Sequence, residues 1–289
     1  MPMSTAGTTE LTREQVQTVL VKPLEATSQF LAAGPRIVDT AGPLKLPKLG
    51  GPITPSWVGE NELIPEVNPE FDELHLLPST MKSIKTLTRY SNELARQTFI
   101  SLDAAIKERV VKDVADTMDS QLFSASGDGI TKPKGLFAHS GIQTVAVGGA
   151  LSLDALLDAQ AKALAANVNL ERTKWVMTSR EFIGLRKVKD TQGRYLIEPD
   201  VHLAGQYRLF GVPVLITNRV PDTTGGTPTG RAALVDFSQI VVARDVAPTV
   251  KILDQTFGDY DQIGIRVVYR LDAAPVNPEA IIVLSGITI

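Results

Sequence analysis

The stretch that decides the fold is SLDAAIKERVVKDVADTMDSQL, residues 101–122. Its apolar residues recur at every fourth position: Leu102, Ile106, Val110, Val114, Met118 and Leu122. Charged side chains occupy the other side, and Ser101 is suited to cap the first turn. The pattern predicts an amphipathic helix of about 23 residues, roughly 35 Å long, that ends at Gly127-Asp128-Gly129.

The composition of the whole chain is that of an ordinary globular protein. It has 289 residues, 43% of them hydrophobic and 21% charged, which suggests one or two domains and excludes wholesale disorder. The formal charge is −3, from 29 basic and 32 acidic side chains, so the chain lacks the basic excess of a protein that wraps nucleic acid. Cysteine is absent, which excludes disulfides, cysteine-ligated zinc, iron–sulfur clusters and thiol catalysis.

Signals for metals, cofactors and membranes are missing from the sequence. The three histidines, His75, His139 and His202, do not pair at the spacing of metal ligands. No apolar run approaches the roughly 18 residues of a membrane span, and Met1–Glu10 lacks the pattern of a signal peptide. We therefore expect no metal, no cofactor and no membrane contact, and a chain that works or assembles in a cytoplasm.

Strands and shorter helices are predicted on both sides of the long helix. Residues 80–90 are rich in β-branched side chains and predict a strand, after which Ser91 is an N-cap for a short helix to Gln97. Ser152 and Ser179 cap two further predicted helices, the second of which ends near Val188. The remaining predicted strands are 175–177, 211–216, 232–236, 240–243, 250–253, 261–269 and 281–284.

The segment 31–70 is unusual because it combines many helix breakers with many apolar residues. It contains seven prolines and five glycines, which predicts an extended hairpin. Its apolar residues, which a disordered linker would lack, are Leu44, Leu46, Leu49, Ile53, Trp57, Val58, Leu63 and Ile64. These side chains need a surface, and we expect a neighbouring molecule to supply it. Trp57 is the predicted anchor, because tryptophan is favoured at interface centres, whereas Trp175 lies in an apolar strand and is expected in the core.

Reactive residues do not form a catalytic arrangement. The candidates are a Gly127-Asp128-Gly129 turn followed by Lys132 and Lys134, the serines Ser124, Ser126 and Ser140 near His139, and the pair Asp259 and Asp261. The glycine turn follows a helix, whereas a phosphate-binding loop opens one. The serines lack a nucleophile-elbow motif, and the two aspartates fit a solvated turn at a strand start. We therefore expect that the chain is not an enzyme.

Five segments of the chain follow one another in an order and at a spacing that identify a protein family better than any single segment does. They are Trp57-Val58-Gly59-Glu60 with Ile64-Pro65-Glu66 and Phe71; Ser91 to Gly129; Lys134-Gly135-Leu136; Thr178-Ser179-Arg180 with Gly193-Arg194-Tyr195-Leu196; and Leu209-Phe210-Gly211-Val212-Pro213-Val214. In this order the chain, over about residues 35–287, resembles the major capsid proteins of tailed bacteriophages with the Hong Kong 97-type shell fold. The first segment is similar to the family's extended loop, the E-loop, and the second to its spine helix.

The resemblance implies an α+β fold of the Hong Kong 97-like capsid type. It implies an N-terminal arm over residues 1–36, an extended E-loop hairpin over 37–80 and a peripheral domain with the long spine helix over 81–130. An α/β axial domain would span 131–247, and the return strands of both domains 248–289. Only about 35 residues precede the fold, so we expect scaffolding to come from a separate protein or to be absent.

The resemblance also implies a structural function. Copies of the chain would form hexamers and pentamers of an icosahedral shell that encloses phage double-stranded DNA, bound without sequence specificity. Portal, scaffolding and decoration proteins are the further partners implied, and the location implied is the virion, assembled in the host cytoplasm. One alternative is an encapsulin-like nanocompartment shell that encloses a cargo enzyme; a soluble α/β enzyme is another.

The implied assembly contacts lie in the E-loop. They are Lys45, Lys48, Trp57, Val58, Glu60, Ile64 and Phe71. Some members of the resembled family cross-link covalently through an E-loop lysine, an asparagine and a glutamate near the last strands. Lys45 and Lys48 are candidates for that lysine, but Gln262–Leu271 contains neither an asparagine nor an acidic residue. We therefore expect a shell held together by non-covalent contacts.

Overall fold

Two β-sheets, their helices and a separate two-stranded hairpin make up the described part of the chain. The computed structural model describes residues 27–49, 57–61, 63, 66, 71–77, 82–93, 102–195, 207–223, 228–245, 249–253 and 255–288. Its helices are α1 (Gln29–Ala32), α2 (Leu102–Leu122), α3 (Leu153–Ala165) and α4 (Ser179–Arg186). Its strands are β1 (Arg36–Thr40), β2 (Leu44–Leu49), β3 (Phe71–Leu76), β4 (Ser83–Ser91), β5 (Gln143–Ala146), β6 (Thr173–Met177), β7 (Arg208–Leu209), β8 (Val212–Ile216), β9 (Thr229–Asp236), β10 (Ile240–Asp245), β11 (Thr249–Leu253), β12 (Gln262–Pro275) and β13 (Ile281–Thr288).

The first sheet is organised around the long strand β12. Its first half lies between antiparallel β4 and β11, and its second half pairs with β10, which takes β1 as a parallel neighbour. Alternate residues of β12, among them Ile265, Val267 and Tyr269, are buried, as expected for a strand with one covered face.

Helix α2 covers that face of the first sheet. Val110, Val114, Met118 and Leu122 are buried in the same core as the β12 residues, so the predicted apolar stripe is confirmed for its described side chains. The helix ends at Leu122, five residues before the glycine turn that was expected to end it. The next residue, Phe123, leaves the helix to pack its ring edge-on against Phe30, with ring centroids 5.2 Å apart.

The second sheet has the strand order β5-β13-β9-β6-β8-β7 in the described ranges. Helices α3 and α4 pack on it through Leu156, Phe182 and Leu185, which are buried with Trp175. The indole Nε1 of Trp175 donates a hydrogen bond to the carbonyl of Leu209 at 3.2 Å, which satisfies its one polar group. Trp175 is therefore a core residue, as predicted.

Several predicted boundaries are wrong because sheet pairing overrides local capping signals. Ser91 does not begin a helix but ends β4, where it pairs with Gln262; residues 92–93 are helical and the rest of that predicted helix lies outside the described residues. The cap of α4 is Thr178, not Ser179, and the helix ends at Arg186. Strands β1 and β5 were not predicted, since both are short and each finds only one described partner, β10 and β13.

Candidate assembly surface

Strands β2 and β3 form a hairpin, and the base of this hairpin rests on the chain's own sheet. The two strands pair in antiparallel register from Leu44↔Leu76 to Leu49↔Phe71. Because side chains alternate along a strand, the leucines of one face lie together: Leu44, Leu46, Leu74 and Leu76 pack against Val241, Ala243 and Ala274. The expectation that the apolar residues of this segment need a neighbouring molecule is therefore wrong for the base of the hairpin.

The opposite face of the hairpin is charged and open to solvent. Lys45 Nζ and His75 Nε2 each lie 3.3 Å from Glu73 Oε2, and all three side chains are more than half exposed. Exposed ion pairs of this kind contribute little stability, so Lys45 remains available for other contacts. Lys48 lies in β2 opposite Asp72 in the backbone register.

A buried ion pair ties the chain that leaves the hairpin to the first sheet. Lys82 Nζ lies 2.5 Å from Asp272 Oδ2, with side-chain exposures of 6% and 2%. The same oxygen accepts a hydrogen bond from the backbone N–H of Leu77 at 3.1 Å, a residue with a positive φ of 49°. Removing one member of such a pair leaves an uncompensated buried charge, which is strongly destabilising. We call Leu77, Lys82 and Asp272 the hairpin root.

The far end of the hairpin carries large apolar side chains that are exposed to solvent. Trp57 has a relative exposure of 104% and Leu63 of 93%. Val58 is half-buried and Glu60 is exposed. We call these four residues the tip. Of the other predicted contacts, Ile64 lies outside the described residues, and Phe71 begins β3 opposite Leu49. A hairpin with a fixed root and an exposed, apolar tip is suited to bind another molecule.

The N-terminal segment is attached to the long helix by a buried carboxylate. Asp119 accepts hydrogen bonds from the Ser28 hydroxyl at 2.5 Å and from the backbone N–H of Gln29 at 2.8 Å. Burial raises the pKa of Asp119, and these hydrogen bonds oppose that rise. Residues 28–33 thus pack on their own chain, and the portion of the predicted arm that was expected to reach neighbours, residues 1–26, lies outside the described residues.

The residues considered for catalysis serve local structure instead. Asp128 Oδ1 accepts three backbone N–H groups, those of residues 130–132, at 2.9 Å each, so the glycine turn is a closed Asx-type turn. Asp261 accepts a hydrogen bond from the Asn92 amide at 2.6 Å. Burial, assisted by Lys134 and Lys82, lowers the pKa of His139 to about 4. Within the described ranges, no three acidic or histidine side chains group as metal ligands, and no helix is long and apolar enough to cross a bilayer.

Two residues that matter at this surface, Asp272 and Asp119, were missed by the sequence reasoning. Asp272 follows directly after the segment 262–271, which has no acidic residue, and it stands between the apolar residues Leu271 and Ala273. A charge inside an apolar strand signals a buried ion pair, which is the signal that could have found it. No comparable signal marks Asp119, because carboxylates are common on the polar side of a helix.

Comparisons with known proteins agree with this architecture. Residues 10–286 match the model of a family described as the phage capsid family. The major capsid protein of Klebsiella oxytoca phage phiKO2 is 24% identical over 266 residues, which are 85% of this chain and 60% of that protein. The chain thus spans about 60% of the length of that curated relative.

Solved structures share the fold over nearly the whole chain. The capsid of an empty GTA particle has a TM-score of 0.75 at 20% identity, covering 91% of this chain and 90% of that one. A structure from Microbacterium phage Oxtober96 has a TM-score of 0.69 at 15% identity, covering 90% of each chain. These likenesses confirm the predicted α+β fold of the Hong Kong 97-like type.

Proposed function

This chain belongs to the phage capsid family, and we propose that its copies assemble into the hexamers and pentamers of an icosahedral shell around phage double-stranded DNA. The observation that carries the proposal is the hairpin: its root is fixed by a buried ion pair, while Trp57 and Leu63 at its tip are fully exposed. Monomeric soluble proteins rarely leave such a feature uncovered. A structural role, without catalysis, follows from membership of a capsid family.

The tip supplies the contact between neighbouring copies in this proposal. Trp57 is the anchor, with Val58 and Glu60 beside it, and Lys45, Lys48, Ile64 and Phe71 are the other proposed contacts. A tryptophan buries roughly 150–250 Å², so one tip is a modest interface by itself. Each copy gives one tip and receives one, and multivalent attachment makes loss from a closed lattice much slower than loss from a single contact.

The proposed division of the chain follows the order of the elements. Residues 1–36 are the arm, 37–80 the E-loop, and 81–130 the peripheral domain with α2 as its spine helix. Residues 131–247 are the axial domain, and 248–289 return to both. In support, β12 pairs with β4, β10 and β11, whereas β13 pairs with β5 and β9, so the last two strands join different sheets.

Portal, scaffolding and decoration proteins are the further partners that we propose, with the virion as the final location and the host cytoplasm as the place of assembly. The near-balanced charge of −3 supports weak, non-specific contact with packaged DNA, because a strongly basic lining would bind phosphates tightly. The relatives reported above include a phage major capsid protein and a GTA capsid, which favours a phage shell over an encapsulin-like nanocompartment.

Electron microscopy of the purified chain tests the proposal. We expect closed particles from the full chain. A variant in which residues 51–70 are replaced by Asn-Gly, which suits a tight hairpin turn, keeps β2, β3 and the root. It should stay folded by circular dichroism but form no closed particles. Closed particles from this variant, or a full chain that remains a monomer at every concentration, would contradict the proposal.

A further inference from the structure

We propose that a basic loop at the end of α4 binds the phosphate backbone of DNA. The loop comprises residues 186–195, Arg-Lys-Val-Lys-Asp-Thr-Gln-Gly-Arg-Tyr, and we call it the basic loop. It has four cationic side chains and a single carboxylate, that of Asp190. The total charge of −3 conceals this local excess, although a cluster of cations is what marks a nucleic-acid-binding surface. The inference rests on the proposed function, in which the shell encloses DNA, and adds the surface that contacts the DNA.

The cations of the basic loop have no ion-pair partner among the described residues. Their neighbour Arg180 differs, because its Nη2 lies 2.7 Å from a carboxylate oxygen of Glu181 and 2.7 Å from one of Asp222. The four cations are Arg186, which is half-buried, and Lys187, Lys189 and Arg194, which are exposed. The dipole of a helix favours cations in its last turn, which explains the two cations at the end of α4 but not Lys189 and Arg194.

Hydrogen bonds hold the basic loop in one shape. Asp190 Oδ1 accepts the backbone N–H groups of Gln192 at 2.8 Å and Arg194 at 2.9 Å, so the one carboxylate is engaged by the loop's own backbone. Lys189 and Tyr195 pair as an antiparallel bridge, and Lys189 Nζ lies 4.8 Å from the centroid of the Tyr195 ring. A loop that is ordered in advance loses less conformational entropy when it binds a ligand.

Two aromatic rings position the fourth cation, Arg186. Its guanidinium carbon lies 5.7 Å from the ring centroid of Tyr207 and 6.0 Å from that of Phe182. These two rings contact each other, with centroids 4.8 Å apart. Stacking on an aromatic face orients a guanidinium group through its plane, so the N–H groups at its edge can still donate to phosphate oxygens.

The exposed surface of the loop fits DNA better than it fits an acidic protein. A protein interface has an apolar core, whereas a DNA interface is polar and strongly positive. Apart from Tyr195, the exposed residues of the loop are Lys187, Lys189, Thr191, Gln192, Gly193 and Arg194, none of which has a large apolar side chain. Hydroxyl and amide groups bind phosphates alongside lysine and arginine, and such contacts carry no sequence information. This is the kind of contact that a shell around DNA of mixed sequence requires.

Fluorescence anisotropy with a short labelled DNA duplex, at a series of salt concentrations, tests the inference. The full chain is kept dilute, so that binding is measured before assembly. The loop variant is Lys187→Gln/Lys189→Gln/Arg194→Gln. The matched control, Lys85→Gln/Lys112→Gln/Lys132→Gln, removes three exposed lysines outside the loop and changes the net charge equally. Circular dichroism verifies that both variants are folded.

We expect the loop variant to bind DNA at least about tenfold more weakly than the natural chain at low salt. The slope of log affinity against log salt concentration should decrease in magnitude by about 2–3 in the loop variant, since each lost phosphate contact removes about one, and by less than about 1 in the control.

Equal losses in the two variants, or a natural chain that does not bind the duplex, would overturn the inference and leave the shell unaffected. Polyglutamate that competes as well as unlabelled DNA would also overturn it, because an acidic protein would then fit the loop equally well. A chain that binds DNA through the loop but never forms particles would instead refute the proposed function.

Discussion

Asp272→Ala removes the carboxylate that fixes the hairpin root and leaves Lys82 as a buried, unpaired ammonium group. The cost follows from burial: both side chains are at most 6% exposed, and breaking a buried ion pair costs about 3–5 kcal/mol. The backbone N–H of Leu77 loses its acceptor as well, a loss of about 1–3 kcal/mol when the donor stays buried. We therefore expect the single variant to lose at least about 3 kcal/mol of unfolding free energy.

The double variant Lys82→Met/Asp272→Leu separates the cost of an unpaired charge from the cost of lost packing. Well-packed apolar residues often replace a buried ion pair at no net cost, so the double variant should recover most of the loss seen in Asp272→Ala. Urea unfolding of the unassembled chain, followed by circular dichroism, measures both values. Hydrogen exchange on β2 and β3 should rise in Asp272→Ala only. A double variant as unstable as Asp272→Ala would refute the argument that the unpaired charge dominates.

Three further outcomes follow from the exposure, burial and charge of single residues. Trp57→Ala should change unfolding free energy by less than about 0.5 kcal/mol, because it is a surface change, yet weaken particles in a melting assay; Trp175→Ala should cost about 3–5 kcal/mol in the core, and the reverse ranking would contradict the anchor role. The pKa of His139 is about 4 when folded and 6.5 ordinarily, so the unfolded chain binds the extra proton and stability falls as pH drops from 6.5 toward 4. His139→Gln should reduce the loss of unfolding free energy between pH 6.5 and 4 by up to about 3 kcal/mol, as measured by unfolding at a series of pH values. The same loss in the variant and the natural chain would refute the role of His139. Particles boiled in detergent should run as monomers near 31.1 kDa, and a ladder of covalent oligomers would show that cross-links form.

Periodic features were predictable from the sequence because their cause is local. The four-residue repeat from Val110 to Leu122 is the apolar side of α2, and it is buried as predicted. The apolar run around Trp175 gave both the strand and its place in the core. The Pro- and Gly-rich composition of residues 31–70 gave an extended hairpin, since these residues exclude long helices.

Long-range pairings were not predictable, because no local sequence pattern identifies the distant residue with which a side chain pairs. Lys82 and Asp272 are 190 positions apart, and Ser28 and Asp119 are 91 apart. Whether an apolar side chain is buried in its own chain or exposed was equally unpredictable. Leu46 and Leu63 lie in one segment, yet Leu46 packs on the chain's own sheet and Leu63 is exposed. Local boundaries failed where a strand partner extended an element, as Gln262 does for Ser91.

Cryo-electron microscopy of particles assembled from the full chain is the most direct test of the central claim, that the exposed end of the hairpin is covered by another copy. In the reconstructed map, we expect the indole of Trp57, which is fully exposed in the single chain, to lie on a neighbouring subunit. A map in which Trp57 folds onto its own subunit or stays in solvent within intact particles would contradict the account.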